Sequence, residues 1–363
     1  MGRTILASLV VLALAACSTE AALSPSASAS APPSPFASAA PSMAPSVEPS
    51  MPPSEEPSST PAAMPEGHPA AGLALVQFPE EGSPDSHIFV VEEDGALRQV
   101  TSATTATWPS WSPDGTKIAF NPAKVGADVM YGVFVINADG TGERYIGEGV
   151  NPQWSPDGTK ILFHEQDDVT ADPWSIYVAD AATGEITELA TGFDETWLWD
   201  GRVAFHQMTE DVEGTPPGSL TDVLYVTELG GEPQMVGLET EMFWSPDGTW
   251  LLEVRDGVVS LATPNAPGSR ELIEGFAPVW SPDSTRFVVA YDFDENASPL
   301  IAVMNTDGEE LWSGAIGTDA KWSADGTRIA VEAGYPDQMV HVLDAATGEI
   351  LWEDEGTDPA WMP

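Results

Sequence analysis

From Leu73 onward the chain consists of short apolar runs separated by polar breaks rich in Gly, Asp and Asn. Lys117-Ile118-Ala119-Phe120 is one such run, and VFVINADG from Val133 and SIYVADAATG from Ser175 are others. Residues of this kind in alternation predict half-buried strands, because successive side chains of a strand point to opposite faces. Breaks such as Asn137-Ala138-Asp139-Gly140 and Asn305-Thr306-Asp307-Gly308 are turn chemistry. The strand-like alternation excludes a helical solenoid.

The stretch WSPDGTKIAF, from Trp111 to Phe120, returns as WSPDGTKILF from Trp154 and in weaker copies after Trp199, Trp244, Trp280 and Trp322, with a last tryptophan at Trp361. Pro supplies the fixed φ of a type I turn and Gly the left-handed residue that closes a bulged hairpin, so each copy predicts two strands joined tightly. The seven tryptophans recur roughly every 40 residues, close to the length of one four-stranded propeller blade. The expected fold is all-β: a seven-bladed propeller of four-stranded antiparallel blades. Leu73 to Thr101 offers three strands without a preceding tryptophan turn, and Thr357 to Met362 offers one strand with nothing after it. Pairing of the C-terminal strand with the first blade then closes the ring and removes exposed sheet edges.

The WSPDG turns, each followed by an IAF-type strand and an I-Y-V-x-D-type strand, resemble the TolB-type, WD-like β-propeller repeat over roughly residues 73–363. The resemblance implies a propeller, a fold that hosts binding, scaffolding and enzymatic roles alike. TolB carries an α/β domain before its propeller where this chain has a Pro-rich segment. Propellers of this kind also precede hydrolase domains, but no G-x-S-x-G elbow follows here.

Ahead of the repeats, Arg3, an apolar run from Ile5 to Ala16 and Leu14-Ala15-Ala16-Cys17 read as a cleaved signal, residues 1–17. The motif resembles the lipobox of bacterial lipoproteins, which implies cleavage before Cys17 and lipid on its thiol. Residues 18–72 are dominated by Ala, Ser and Pro, cannot bury enough apolar surface to fold, and are expected to be a tether. Cys17 is the single cysteine, so no intramolecular disulfide supports the fold. The formal net charge of -45 repels nucleic acid and favours a solvated surface.

In the layout the resemblance implies, the tryptophan turns lie on one face and the loops between second and third strands on the other. Those loops concentrate acids: Glu80, Glu81 and Asp85; Glu165, Asp167, Asp168 and Asp172; Glu210, Asp211 and Glu213; Asp292, Asp294 and Glu295. Long acidic loops on a rigid ring are a natural recognition surface. His164 and His206 end equivalent second strands, with Asn121 and Glu332 at the corresponding positions elsewhere, making these four a candidate ligand-binding rim. The resemblance extends to the oligogalacturonate lyase branch, which implies metal held by His and Gln. Gln207 follows His206, and no further ligands are identified. Asp292 and Asp294 carry hard oxygens suited to a divalent cation. No cofactor is required, though a divalent cation is compatible with these residues. The sequence thus predicts a monomeric, extracytoplasmic, lipid-anchored module that binds an envelope protein or a glycan; the alternatives are a metal-dependent, lyase-like carbohydrate-active enzyme using the rim histidines, and an envelope sensor. Cys17→Ala is expected to release the protein from the membrane fraction, as fractionation would read directly; unchanged membrane retention would refute the anchor.

Overall fold

The structure, a computed structural model, describes residues 67–78, 85–101, 105–122, 132–165, 174–210, 212, 215, 219–238, 241–264, 268–293, 299–333 and 338–363. The chain divides into two units, Met1–Pro61 and Ala62–Pro363, and the described residues belong to the second. Cys17 and the acidic positions Glu80, Glu81, Asp167, Asp168, Asp172, Asp211, Glu213, Asp294 and Glu295 lie outside the described residues.

Among the described residues every element is a strand. The first sheet holds β1 (Leu73–Gln77), β2 (His87–Val91) and β3 (Leu97–Gln99), and the second β4 (Thr107–Trp111), β5 (Lys117–Asn121), β6 (Val133–Asn137) and β7 (Arg144–Gly147). A longer sheet follows: β8 (Val150–Trp154), β9 (Lys160–Glu165), β10 (Trp174–Asp180), β11 (Ile186–Trp197), β12 (Val203–Glu210), β13 (Leu220–Thr227) and β14 (Gln234–Leu238). Then come β15 (Glu241–Trp244), β16 (Leu251–Arg255), β17 (Val258–Ala262) and β18 (Arg270–Glu274) in one sheet, and β19 (Phe276–Trp280), β20 (Arg286–Phe293), β21 (Pro299–Asn305) and β22 (Glu310–Ile316) in the next. The last holds β23 (Thr318–Trp322), β24 (Arg328–Ala333), β25 (Met339–Asp344) and β26 (Ile350–Glu355). Finally β27 (Thr357–Trp361) joins the first sheet, antiparallel to β1, with Leu73 opposite Trp361 and Val76 opposite Thr357. The all-β architecture of four-stranded antiparallel sheets is the one the sequence predicts.

One sheet departs from it. The third and fourth repeats share a continuous seven-stranded sheet because β11 serves both: Ile186 to Gly192 pair with β10, and Phe193 to Trp197 pair with β12. No loop separates the outer strand of one repeat from the inner strand of the next. Gly192 sits at the changeover, where a Cβ would lie 2.4 Å from the His206 carbonyl oxygen.

Sheets pack face to face. Val76 and Ile88 of the first meet Ile118 and Phe120 of the second, and Leu73 and Leu75 meet Val340 and Val342 of the last. Second strands therefore have both faces covered, and alternation gives way to solid burial in Ile118–Asn121 and Ile161–His164. Packing starts before Leu73: Ala70 is fully buried, and Arg328 Nη1 donates to the Pro69 carbonyl at 2.8 Å.

The SPDG turns are small hydrogen-bonded units. Asp114 Oδ1 accepts from Ser112 Oγ at 2.6 Å and from the Thr116 backbone N–H and hydroxyl, while Ser112 Oγ accepts from the Lys117 N–H. The same arrangement recurs around Asp157, Asp247, Asp283 and Asp325. These donors hold the Asp114 carboxyl at about 2, the Ser112 hydroxyl contributing most.

Six of the seven innermost strands are tied to the one before by their tryptophan. The indole N–H of Trp111 donates to Ala360 O (3.2 Å), Trp154 to Ser110 O (3.1 Å), Trp197 to Gln153 O (3.1 Å), Trp280 to Phe243 O (2.8 Å), Trp322 to Val279 O (3.0 Å) and Trp361 to Lys321 O (3.0 Å). In every case the acceptor is the residue just before the preceding strand's tryptophan. The fourth repeat's tryptophan is thus Trp197; Trp199, which the sequence reading assigned to that place, sits in the following turn, with the Arg202 guanidinium 5.9 Å from its ring centre. A signal for this was present in the sequence. Gly precedes the tryptophan by five residues in GVNPQW, GFDETW, GFAPVW, GTDAKW and GTDPAW, and the second of these ends at Trp197. The spacing has a steric cause: a Cβ at Gly149, Gly192 or Gly275 would lie 2.8 Å or less from a carbonyl oxygen of the neighbouring strand. Trp111 and Trp244 lack this glycine, with Ala106 and Glu239 in its place; Trp111 still makes its bond, whereas the Trp244 indole N–H has no protein acceptor among the described residues.

Candidate functional site

Three residues before each linked tryptophan the innermost strand bulges. Trp108, Asn151, Asp194, Ala277, Asp319 and Asp358 have φ between 48° and 58°, in the left-handed region, and the pairing register shifts there. Asn and Asp adopt this conformation more readily than other non-glycine residues. A bulge turns a backbone N–H out of the ladder, and the exposed donor needs an acceptor.

Asn121, His164, His206 and Glu332 occupy one equivalent position beside these bulges, opposite Thr107, Val150, Phe193 and Thr318. Two of them satisfy the bulge of the next repeat. Asn121 Oδ1 accepts the Asn151 N–H at 2.9 Å while its amide donates to Gly132 O and Gly149 O. Glu332 Oε1 accepts the Asp358 N–H at 2.5 Å, and Asp358 Oδ2 in turn accepts the Trp108 N–H at 3.4 Å.

The histidines pair with carboxylates. His164 Nδ1 lies 2.7 Å from Oε1 of Glu195, a fully buried side chain on the next repeat's inner strand, and the imidazole stacks on Trp174 with ring centres 4.8 Å apart. Glu195 Oε2 is buried without a partner among the described residues. His206 Nδ1 lies 2.9 Å from Asp222 Oδ1 on the adjacent strand of its own repeat. A carboxylate is an acceptor, so Nδ1 of each ring carries the hydrogen and Nε2 is the remaining free nitrogen. Burial lowers the His206 pKa, but the hydrogen bond to Asp222 and the charges of Asp222, Asp194 and Glu241 outweigh it and raise the group above its ordinary value.

The sequence did not single out Glu195, Asp222 or Asp358. All three contact the rim from another strand, at separations of 16 to 31 residues for the two histidines. Asp292 lies in β20 opposite Leu300, and Asp294 is outside the described residues. Among the described residues no group of three or more His, Cys, Asp or Glu could hold a metal ion.

No family model matches the chain, and no curated protein matches it in sequence. Solved structures do match. The β-propeller domain of the Trilobed protease from Pyrococcus furiosus gives a TM-score of 0.50 at 14% identity, covering 68% of this chain and 83% of that one. An oligogalacturonate lyase in complex with manganese gives 0.52 at 15%, covering 66% and 74%. TolB from Acinetobacter baumannii gives 0.49 at 19% identity, with 80% of this chain spanning 66% of that one. The fold is that of a β-propeller. At these identities the likeness concerns the fold alone.

The rim carries an electrostatic signature. Burial, then the charge of Glu332, pushes the Asp358 carboxyl up to about 7, although the Trp108 N–H opposes the shift and Asp319 adds to it. Burial raises Glu332 as well. An unfolded aspartate titrates near about 3.9, so between that value and about 7 the folded chain binds the Asp358 proton more tightly. This contribution to stability is complete below about 3.9 and is lost as pH rises through about 7. Asp358→Asn keeps the acceptor for Trp108, tolerates the left-handed φ and removes the charge. Its melting temperature is expected to exceed the parent's by about 2 °C or more at pH 8, with the gap closing towards pH 5. A gap independent of pH in paired melting curves would contradict this assignment.

Proposed function

We propose that the chain is a lipid-anchored, extracytoplasmic β-propeller of seven four-stranded blades that serves as a protein- or glycan-binding scaffold at the cell envelope. On this reading β11 counts in two blades, and the pairing of β27 with β1 joins the last blade to the first. The observation that carries it is the set of six indole bonds joining seven innermost strands. They make a stiff frame, and loops held on a stiff frame present a defined surface for recognition. The hydrogen bonds of Asn121 and Glu332 are used within that frame, which favours a structural role for them over chemistry. The lipobox and the tether support the anchored location. With a net charge of -45, the partner is a basic protein or a neutral glycan rather than nucleic acid.

One observation favours a metal-dependent, lyase-like activity as a second reading. Both rim imidazoles have Nδ1 engaged by a carboxylate, the arrangement that orients metal-bound histidines through their other nitrogen. The set is incomplete, since two imidazoles without a third ligand among the described residues do not make a site. The double variant His164→Asn, His206→Asn removes both Nε2 atoms and keeps a donor for Glu195 and Asp222. The scaffold reading expects elemental analysis of the dialysed parent to find no stoichiometric manganese or zinc, and the double variant to match it. About one equivalent of metal in the parent, lost in the double variant, would overturn the scaffold reading and establish the second.

A further inference from the structure

A groove of about 390 Å³ runs between the second sheet and the start of the long sheet, lined by Phe163 and Glu165 on either side of His164 in the chain but not by His164 itself. Its walls include Tyr145, Glu148, Phe163, Glu165, Tyr177 and Ile186. Both tyrosine rings are propped from behind. Tyr145 makes an edge contact with Phe134 at 5.3 Å between centres, and Tyr177 stacks on Phe163 at 5.8 Å. Tyr145 is nevertheless 46% exposed and Ile186 41% exposed, so an aromatic face and an aliphatic wall open to solvent.

The groove's charge is one-sided. Glu148 and Glu165 line it, and no basic side chain does so among the described residues. Arg144, the cation on β7, turns away to donate to the carbonyls of Ala181 and Ala182. Tyr177 Oη donates to Glu165 Oε2 at 2.9 Å, which fixes that carboxylate and leaves Oε1 as its open acceptor. One open oxygen suits the point charge of an ammonium; a guanidinium uses both oxygens of a carboxylate.

We propose that this groove binds a lysine side chain of a basic partner protein, its methylene stem along Ile186 and its ammonium between the tyrosine faces and the Glu148 and Glu165 carboxylates. An ammonium over an aromatic face is attracted by the ring quadrupole, and adjacent carboxylates strengthen the attraction. The acidic surface draws basic partners to the molecule. The bond to Glu165 raises the Tyr177 phenol further above its ordinary value.

The test uses the full-length protein in detergent, titrated by NMR with Nα-acetyl-lysine methylamide, its norleucine counterpart and 1,5-diaminopentane. The lysine probe is expected to bind about tenfold or more tightly than the norleucine probe and to weaken as salt screens the charge. Tyr145→Ala and Glu165→Gln are each expected to weaken it about fivefold; Tyr145 is half exposed, so its loss leaves the melting temperature near the parent's. Equal binding of the lysine and norleucine probes, or unchanged affinity in both folded variants, would overturn the proposal. Diamine binding more than about tenfold tighter than the lysine probe would also overturn it, assigning the groove to free amines.

Discussion

An indole N–H that reaches from one innermost strand to the backbone carbonyl of the strand before it is the contact on which the arrangement of sheets depends. A single net hydrogen bond is worth only about 1 kcal/mol, whereas burying a large apolar side chain is worth about 1.5 to 3 kcal/mol. The indole plate therefore supplies most of the attraction and the N–H sets the register. That register has requirements upstream. Five residues earlier stands a glycine at five of the six linked tryptophans, and at Gly149, Gly192 and Gly275 the backbone passes too close to a neighbouring carbonyl for a Cβ. Two residues after the glycine, the strand must bulge to bring the tryptophan round, as it does at Asn151 and Asp194. The bulge frees an N–H, and where Asn121 and Glu332 stand, a side chain of the previous repeat takes it up.

Much of this was legible in the chain. The SPDG turns fold through contacts within six residues, so Ser112, Asp114 and Thr116 announce their geometry locally. The alternating runs likewise gave the strands and their order. In the fourth repeat the sequence points to Trp199 rather than Trp197, because both precede a tight turn and the nearer one resembles the motif. The glycine spacing separates them once its steric cause is known. Continuity of β11 was hidden for a different reason: Thr191-Gly192-Phe193-Asp194 reads as a polar break, yet the strand runs through it and changes partners at Gly192. At the rim, the equivalence of Asn121, His164, His206 and Glu332 could be read from the repeat, whereas their partners could not. Glu195 and Asp358 reach them from the next repeat, so the pairing follows from how the sheets stack.

Frame and rim place opposing demands on charge. The turn aspartates are bound by hydroxyls and backbone N–H groups that stabilise the ionised form, and Asp247 and Asp325 sit at about 2, as Asp114 does. At the rim, Asp358 and Glu332 lie close together with burial working against ionisation, and one of them titrates near neutrality. A chain with 57 acidic residues and 12 basic ones has few cations to relieve such sites, and the Lys321 ammonium, which lowers both groups, is itself bound to Asp319 at 2.6 Å. The sites that resist charge are thus those where repeats meet, while the turns carry theirs freely. This division keeps charge away from the junctions of the frame.

The frame predicts a pattern that can be measured indole by indole. Hydrogen exchange of the tryptophan side-chain N–H groups, followed by nitrogen-resolved NMR, should find Trp111, Trp154, Trp197, Trp280, Trp322 and Trp361 protected, and Trp244 exchanging much faster. Rapid exchange of the six, or equal protection of Trp244, would contradict the account.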